Sequence, residues 1–274
     1  MFSAVVLALL TPADLPPPPP APAPPPVVAE PPAVADAPAS ASAAIARSRQ
    51  LVVVTTPAWD AKTGVLQRYA RAAGGWQPVG TAVKIVVGAS GLAWGLGLHG
   101  GSGGLDEPRK MEGDGRAPAG IYALTRVLGK LSAPTSGLPS TKVEQGAVCV
   151  DDVTHPEYNH LLPAGTPKSW KSAEQLVRKD WLYDLIVVVD QNHAEARAAE
   201  VTAGTDPLNP VAGRGSCVFL HVWRKEGSGT AGCTAMETSD LKDVVGWLDA
   251  RFSPLLVQLP RQTYAKVKDT WGLP

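Results

Sequence analysis

Cys233 stands twelve residues after His221 in this chain, the histidine closing the apolar run Phe219, Leu220, His221 and the cysteine lying within Thr230, Ala231, Gly232, Cys233, Thr234. These are the two parts of a thiol nucleophile and its base. A free thiol with a pKa of about 8.5 is mostly protonated near neutrality, so an imidazole that takes its proton greatly raises its reactivity. Read from these residues alone, a second possibility stays open: a buried structural cysteine beside a core histidine.

For the pair to meet, neighbouring elements must carry them. An alternating strand over 216–222 puts Cys217, Phe219 and His221 on one face and Val218, Leu220 and Val222 on the other. Both faces are apolar, as in a strand covered on both sides, and His221 at its end can face a cleft. The charged, glycine-containing stretch 223–229 reads as a loop that returns and delivers Gly232 and Cys233. Leu241, Val244, Val245 and Leu248 recur at helical spacing behind Thr238 or Ser239, which predicts a helix over 241–250. Its positive end would then lie near the amides of Cys233 and Thr234.

Further strands are expected at 50–56, 65–71, 81–87, 120–127, 147–151, 182–189 and 255–259, and one more helix at 169–178. The fold class expected is therefore mainly β, a sandwich or barrel with a few short helices. Long Gly-rich and Pro-rich connections at 88–104 and 206–215 separate the strands.

The whole chain narrows the function classes. With 274 residues, 45% of them hydrophobic, and eight Trp, it can build a substantial core. Lys plus Arg and Asp plus Glu are balanced at 25 each, so the basic field that nucleic acid binding needs is missing. Three cysteines, Cys149, Cys217 and Cys233, are too few for a disulfide scaffold and leave at least one thiol unpaired within the monomer. Cys149 and Cys217 are candidates for a disulfide in an oxidising compartment.

Residues 1–12 read as a signal-like segment, too short an apolar run to span a bilayer and without a preceding Lys or Arg. Between 12 and 38 lie 13 of the 27 prolines, so 13–48 is expected to be a disordered, extended linker, with a folded domain from 49 to 274.

The stretch from Gly215 to Val222, with Thr230, Ala231, Gly232 and Cys233, resembles the active-site signature of the YkuD-type L,D-transpeptidase family. The branch it is most similar to has a Phe-Leu-His strand and a Thr-x-Gly-Cys nucleophile turn. Glu112, Gly113, Asp114, Gly115, Arg116, Ala117, Pro118, Ala119 and Gly120 resemble that branch's Glu-Gly-Asp-Gly-Arg-Thr-Pro-Ala-Gly segment. Val150, Asp151 and Asp152, followed by Tyr158 and Asn159, make a third match in order.

The resemblance implies a mostly β, exported enzyme of the periplasm or cell envelope that acts on peptidoglycan stem peptides. Cys233 would attack a peptide carbonyl with His221 as base, expel the terminal D-alanine, and pass the acyl group to an amine or to water. It also implies an oxyanion site among the backbone amides of Gly232, Cys233 and Thr234, and no cofactor or metal. Where many members have a second histidine two residues before the cysteine, this chain has Ala231; where they have an Arg shortly after it, Ala235 or Met236.

Around that pair, several residues carry two readings. Arg116 can meet a substrate carboxylate or hold a turn, and Asp114 is expected to bond its own backbone. Asp151 and Asp152 can stabilise a turn or meet a substrate amine at the cleft rim. Tyr158 and Thr230 are further candidate substrate contacts. Where family members commonly have Val or Ile after the cysteine, this chain has Thr234, whose hydroxyl is expected near the oxyanion. A metal site from Cys217, His221 and Cys233 is rejected, because Cys217 and His221 would be about 13 Å apart along an extended strand. Finally, His99, His155, His160 and His193 read as solvated or internally satisfied.

Overall fold

The computed structural model describes residues 37–100, 106–132, 134–192 and 210–274. The signal-like segment, most of the Pro-rich linker and His193 lie outside the described residues. Order begins earlier than expected, because Ala37–Arg47 forms a helix (α1) where linker was expected. Its small residues explain the docking: Ala41, Ala44 and Ile45 are buried, and α1 packs against the C-terminal helix Arg261–Trp271 (α3).

The architecture is mainly β. Among the described residues thirteen strands run in chain order: β1 Gln50–Thr56, β2 Thr63–Ala72, β3 Gly75–Val86, β4 Leu92–Trp94, β5 Ala117–Gly129, β6 Ser140–Lys142, β7 Val148–Val150, β8 Leu161–Leu162, β9 Ala173–Gln175, β10 Leu185–Val189, β11 Phe219–Val222, β12 Thr234–Met236 and β13 Leu255–Pro260. One sheet follows the order β10, β11, β12, β3, β2, β1, β13, β5, and β10 also pairs with β5, so these strands close into a ring. Closure leaves no open edge within it. Beside the ring, β8, β7 and β9 form a separate small sheet.

Strand alternation sorts the core into two layers. Leu185, Val187 and Val189 of β10 and Val218, Leu220 and Val222 around β11 join the main cluster inside the ring. Ile186, Val188, Phe219 and Cys233 join a second cluster with Cys149, Leu176 and Tyr183 on the other face, beneath the small sheet. The face assignment read from 216–222 therefore holds, and β11 is covered on both sides.

Two local expectations change. Residues 169–178 are not helical; Ala173–Gln175 is β9 and pairs with β7, so backbone pairing to a strand that needs a partner overrides weak helix propensity. The helix near the nucleophile runs Thr238–Trp247 (α2), capped by the Glu237 side chain, with β12 between it and Cys233. Cys233 therefore precedes a strand, not a helix start.

A disulfide joins Cys149 on β7 to Cys217 just ahead of β11, across 68 residues, and so ties the small sheet to the strand that carries His221. Chain entropy for a loop of that length makes the bond worth about 4 kcal/mol. Replacing both cysteines by serine is expected to lower the urea midpoint by a corresponding amount, and treating the native protein with a reductant should do the same. An unchanged midpoint would remove the cross-link from the account of stability.

Candidate active site

Strands β11 and β12 run parallel with Leu220 opposite Thr234 and His221 opposite Ala235. Cys233, one residue before β12, therefore lies beside Phe219 and diagonal to His221, on the same face. Diagonal neighbours in a sheet sit roughly 7–8 Å apart, within reach of long side chains. Both side chains are almost fully buried, at 6% exposure for His221 and 8% for Cys233. They share the wall of one cleft of about 260 Å³, with Tyr183, Arg178 and Trp223.

His221 Nδ1 lies 2.8 Å from the carbonyl oxygen of Val222. A carbonyl only accepts, so Nδ1 carries the proton and Nε2 is left as the acceptor. The group that orients the imidazole is thus a backbone carbonyl, that of Val222. Tyr183 packs its ring edge-on against the imidazole, with centroids 5.1 Å apart.

Burial dominates the electrostatics. It pushes the Cys233 thiol up to about 12, and it pulls His221 down to about 4. Near neutrality the pair is therefore an uncharged thiol and an uncharged imidazole, not a resting ion pair. The thiol donates to the carbonyl of Cys217 at 3.6 Å. That carbonyl is aimed by the left-handed backbone of Cys217 (φ 55°) and by the Asn159 side chain, which accepts the Cys217 amide at 2.8 Å.

The turn before Cys233 is fastened from within. Thr230 Oγ1 donates to the Cys233 carbonyl at 2.6 Å and accepts the Gly232 amide at 3.2 Å. Thr230 lines the cleft, but its hydroxyl is engaged in the turn, and the Gly232 amide is engaged with it. A Cβ on Gly232 would come within 3.1 Å of the Arg116 carbonyl, so the turn is seated on the 112–118 segment. The Thr234 hydroxyl faces the other side of β12, donating to Gln258 at 2.6 Å, which removes the expected contribution to the oxyanion.

The remaining expected substrate contacts lie away from the cleft. Arg116 donates to the carbonyls of Trp59 and Leu92, at 3.2 and 2.9 Å, so its guanidinium braces loops. Asp152 accepts from Thr154 and from the Lys171 amide, bonds that hold its carboxyl down at about 2. Tyr158 donates to Glu112 at 2.5 Å, and Glu112 also accepts from Ser216 at 2.7 Å, a clasp behind the Cys217 segment. Asp114 has the structural role expected, accepting from Lys110, from the Met111 amide and from the Arg116 amide.

Sequence reasoning missed Tyr183, Glu174 and Arg178. Strict alternation through β10 would place Tyr183 with Leu185 inside the ring, but the chain turns at 181–184 and puts it on the cleft face. No spacing signal marks that turn. Among the described residues, no group of His, Cys, Asp and Glu is arranged to hold a metal ion.

No family model matches the chain, and no curated protein matches it. Among solved structures, that of Bdellovibrio bacteriovorus Bd1075 is similar over 83% of this chain and 56% of that one, at 13% identity and a TM-score of 0.37. This chain thus spans little more than half the length of that protein. A likeness so slight carries no argument about the site, which stands on its own geometry.

Proposed function

We propose that this protein is an exported cysteine acyltransferase acting on peptidoglycan stem peptides, an L,D-transpeptidase in which Cys233 is the nucleophile and His221 its base. The observation that carries the reading is the placement of Cys233 and His221 on one face of adjacent parallel strands, lining the same cleft. The Cys149–Cys217 disulfide is in keeping with an oxidising compartment.

In the reaction, His221 Nε2 takes the Cys233 proton as sulfur attacks the donor carbonyl. The proton then passes to the leaving amine of the terminal D-residue, and a thioester remains. An incoming amine, deprotonated by His221, or water completes the cycle. Because both groups rest uncharged, proton transfer accompanies attack.

The test is intact-protein mass after incubation with a tetrapeptide donor. Wild type should gain the donor mass less that of the released D-amino acid, and Cys233→Ala should gain nothing. Cross-linked dimers among the products identify transfer, and shortened monomers alone identify hydrolysis. Adduct on both proteins, or on neither, would sink the proposal.

A further inference from the structure

Tyr183 packs against His221 and, like Glu174, lines both recesses that meet at Cys233. One recess is the cleft shared with His221; the other, about 140 Å³, is lined by Lys110, Glu112, Asp151, Ser216 and Cys217. The Tyr183 ring packs edge-on against Phe219 as well as His221, with centroids 5.8 and 5.1 Å away. The Arg178 guanidinium covers its ring at 5.2 Å and is itself held by Glu174 at 3.0 Å and by Asp180. Fixed on these sides, Tyr183 lines both recesses beside Cys233 and Glu174.

Resting on the acyl-transfer reading, we propose that Tyr183 is a further catalytic residue: its hydroxyl donates a hydrogen bond to the Cys233 sulfur as that atom acquires charge, and Glu174 competes for the same donor. The need follows from the site. Sulfur sits in an apolar cluster with Phe219, Ile186 and Val188, where developing charge has few donors. Burial holds Tyr183 far above the ordinary phenol range, so it gives a hydrogen bond without giving up its proton.

The step balances simply. In acylation the sulfur–carbon bond forms, the carbonyl pair moves to oxygen and the thiol proton goes to His221 Nε2; as the carbonyl re-forms, the carbon–nitrogen bond breaks and that proton leaves on the amine of the terminal D-residue. In the second half His221 takes a proton from the attacking amine or water, and as the sulfur–carbon bond breaks sulfur recovers its electron pair and receives that proton. Tyr183 keeps its own proton throughout. Glu174 acts in the opposite direction, since a carboxylate near sulfur disfavours the thiolate and draws the tyrosine hydroxyl toward itself.

Iodoacetamide provides the test, because Cys233 is the free thiol and the other two cysteines are bonded to each other. Alkylation of Cys233 at pH 8 is followed by mass in wild type, Tyr183→Phe and Glu174→Gln, beside acylation by the tetrapeptide donor. Tyr183→Phe keeps the ring and should slow both reactions by roughly 10–100-fold, the effect of losing a hydrogen bond to a charged group. Glu174→Gln should speed alkylation several-fold. Changes of the same sign in both variants are what loosened packing produces, and they would overturn the proposal; so would wild-type alkylation in either. If Tyr183→Phe fails to fold, the Glu174→Gln rate alone decides the sign. A wild type that alkylates but takes no acyl group from the peptide would defeat the acyl-transfer reading while the alkylation comparison still judges Tyr183.

Discussion

Replacing His221 by Gln is expected to slow acylation of Cys233 by about 10²–10⁴-fold, the range that a positioned general base contributes. Gln can still donate toward the Val222 carbonyl that His221 bonds at 2.8 Å, so the loss is confined to the basic nitrogen. The large figure follows from the resting state of the thiol. Burial raises Cys233 to about 12, so unaided thiolate is scarce at neutral pH and the proton must leave during attack. The wild-type rate should also hold down to acid pH, with its lower limb near 4 and not near the ordinary imidazole value of about 6.5, because burial keeps His221 neutral across that interval. Single-turnover acylation followed by mass against pH measures both effects. A Gln variant acylated at the wild-type rate would exclude His221 as the base.

A second large effect should appear in stability. His99 and His221 are both buried, and burial lowers each to about 4. In the unfolded chain they take up protons near 6.5; in the folded protein they refuse them until about 4. Between those values the unfolded state binds more protons, so stability is full above pH 6.5 and is lost as pH falls through 4. Each shift corresponds to about 3 kcal/mol, which is a large part of a typical folding free energy. Glu174, raised by burial, offsets part of this loss where it titrates. Urea midpoints at pH 7.5 and 4.5 check the expectation, and the drop should shrink in His99→Gln if that variant folds. Equal midpoints at the two pH values would contradict it.

His99 also shows where sequence reading reaches its limit. In a Gly-rich stretch it reads as one of several satisfied or solvated histidines, and the outcome is buried and half satisfied: Nδ1 accepts the Ile121 amide at 3.1 Å, while Nε2 has no hydrogen-bond partner among the described residues. Its setting among Trp94, Trp271 and Tyr122 was not legible, because those residues come together only through tertiary packing. The strands were legible where alternation or β-branched runs were strong, as in Gln50–Thr56 and Leu255–Pro260. Three-residue strands such as β4, β6 and β12 were not, since so short a span has no period to detect.

The same contrast holds at the site. The Cys233 and His221 pair was legible from residue type, spacing and flanking residues, whereas the strand β12 that puts Cys233 on the His221 face was not. Arg116, Asp152 and Tyr158 carry types that suit a substrate, yet each is committed to carbonyls, amides or a carboxylate of the protein itself. Hydrogen bonds of that kind depend on partners distant in the chain, Trp59 for Arg116 and Glu112 for Tyr158, and no local pattern announces them.

The bond between Cys149 and Cys217 has a consequence for how the protein is made. As the chain oxidises, Cys217 has two possible mates: Cys149, 68 residues back, and Cys233, 16 residues ahead. Loop closure alone favours the nearer by about ninefold, so an unfolded chain would more often seal Cys233. Docking the small sheet against the ring reverses that preference by bringing Cys149 to Cys217. Correct pairing and a free Cys233 are therefore one event, and molecules oxidised before the two layers meet would hold Cys233 in the wrong bridge until it is exchanged.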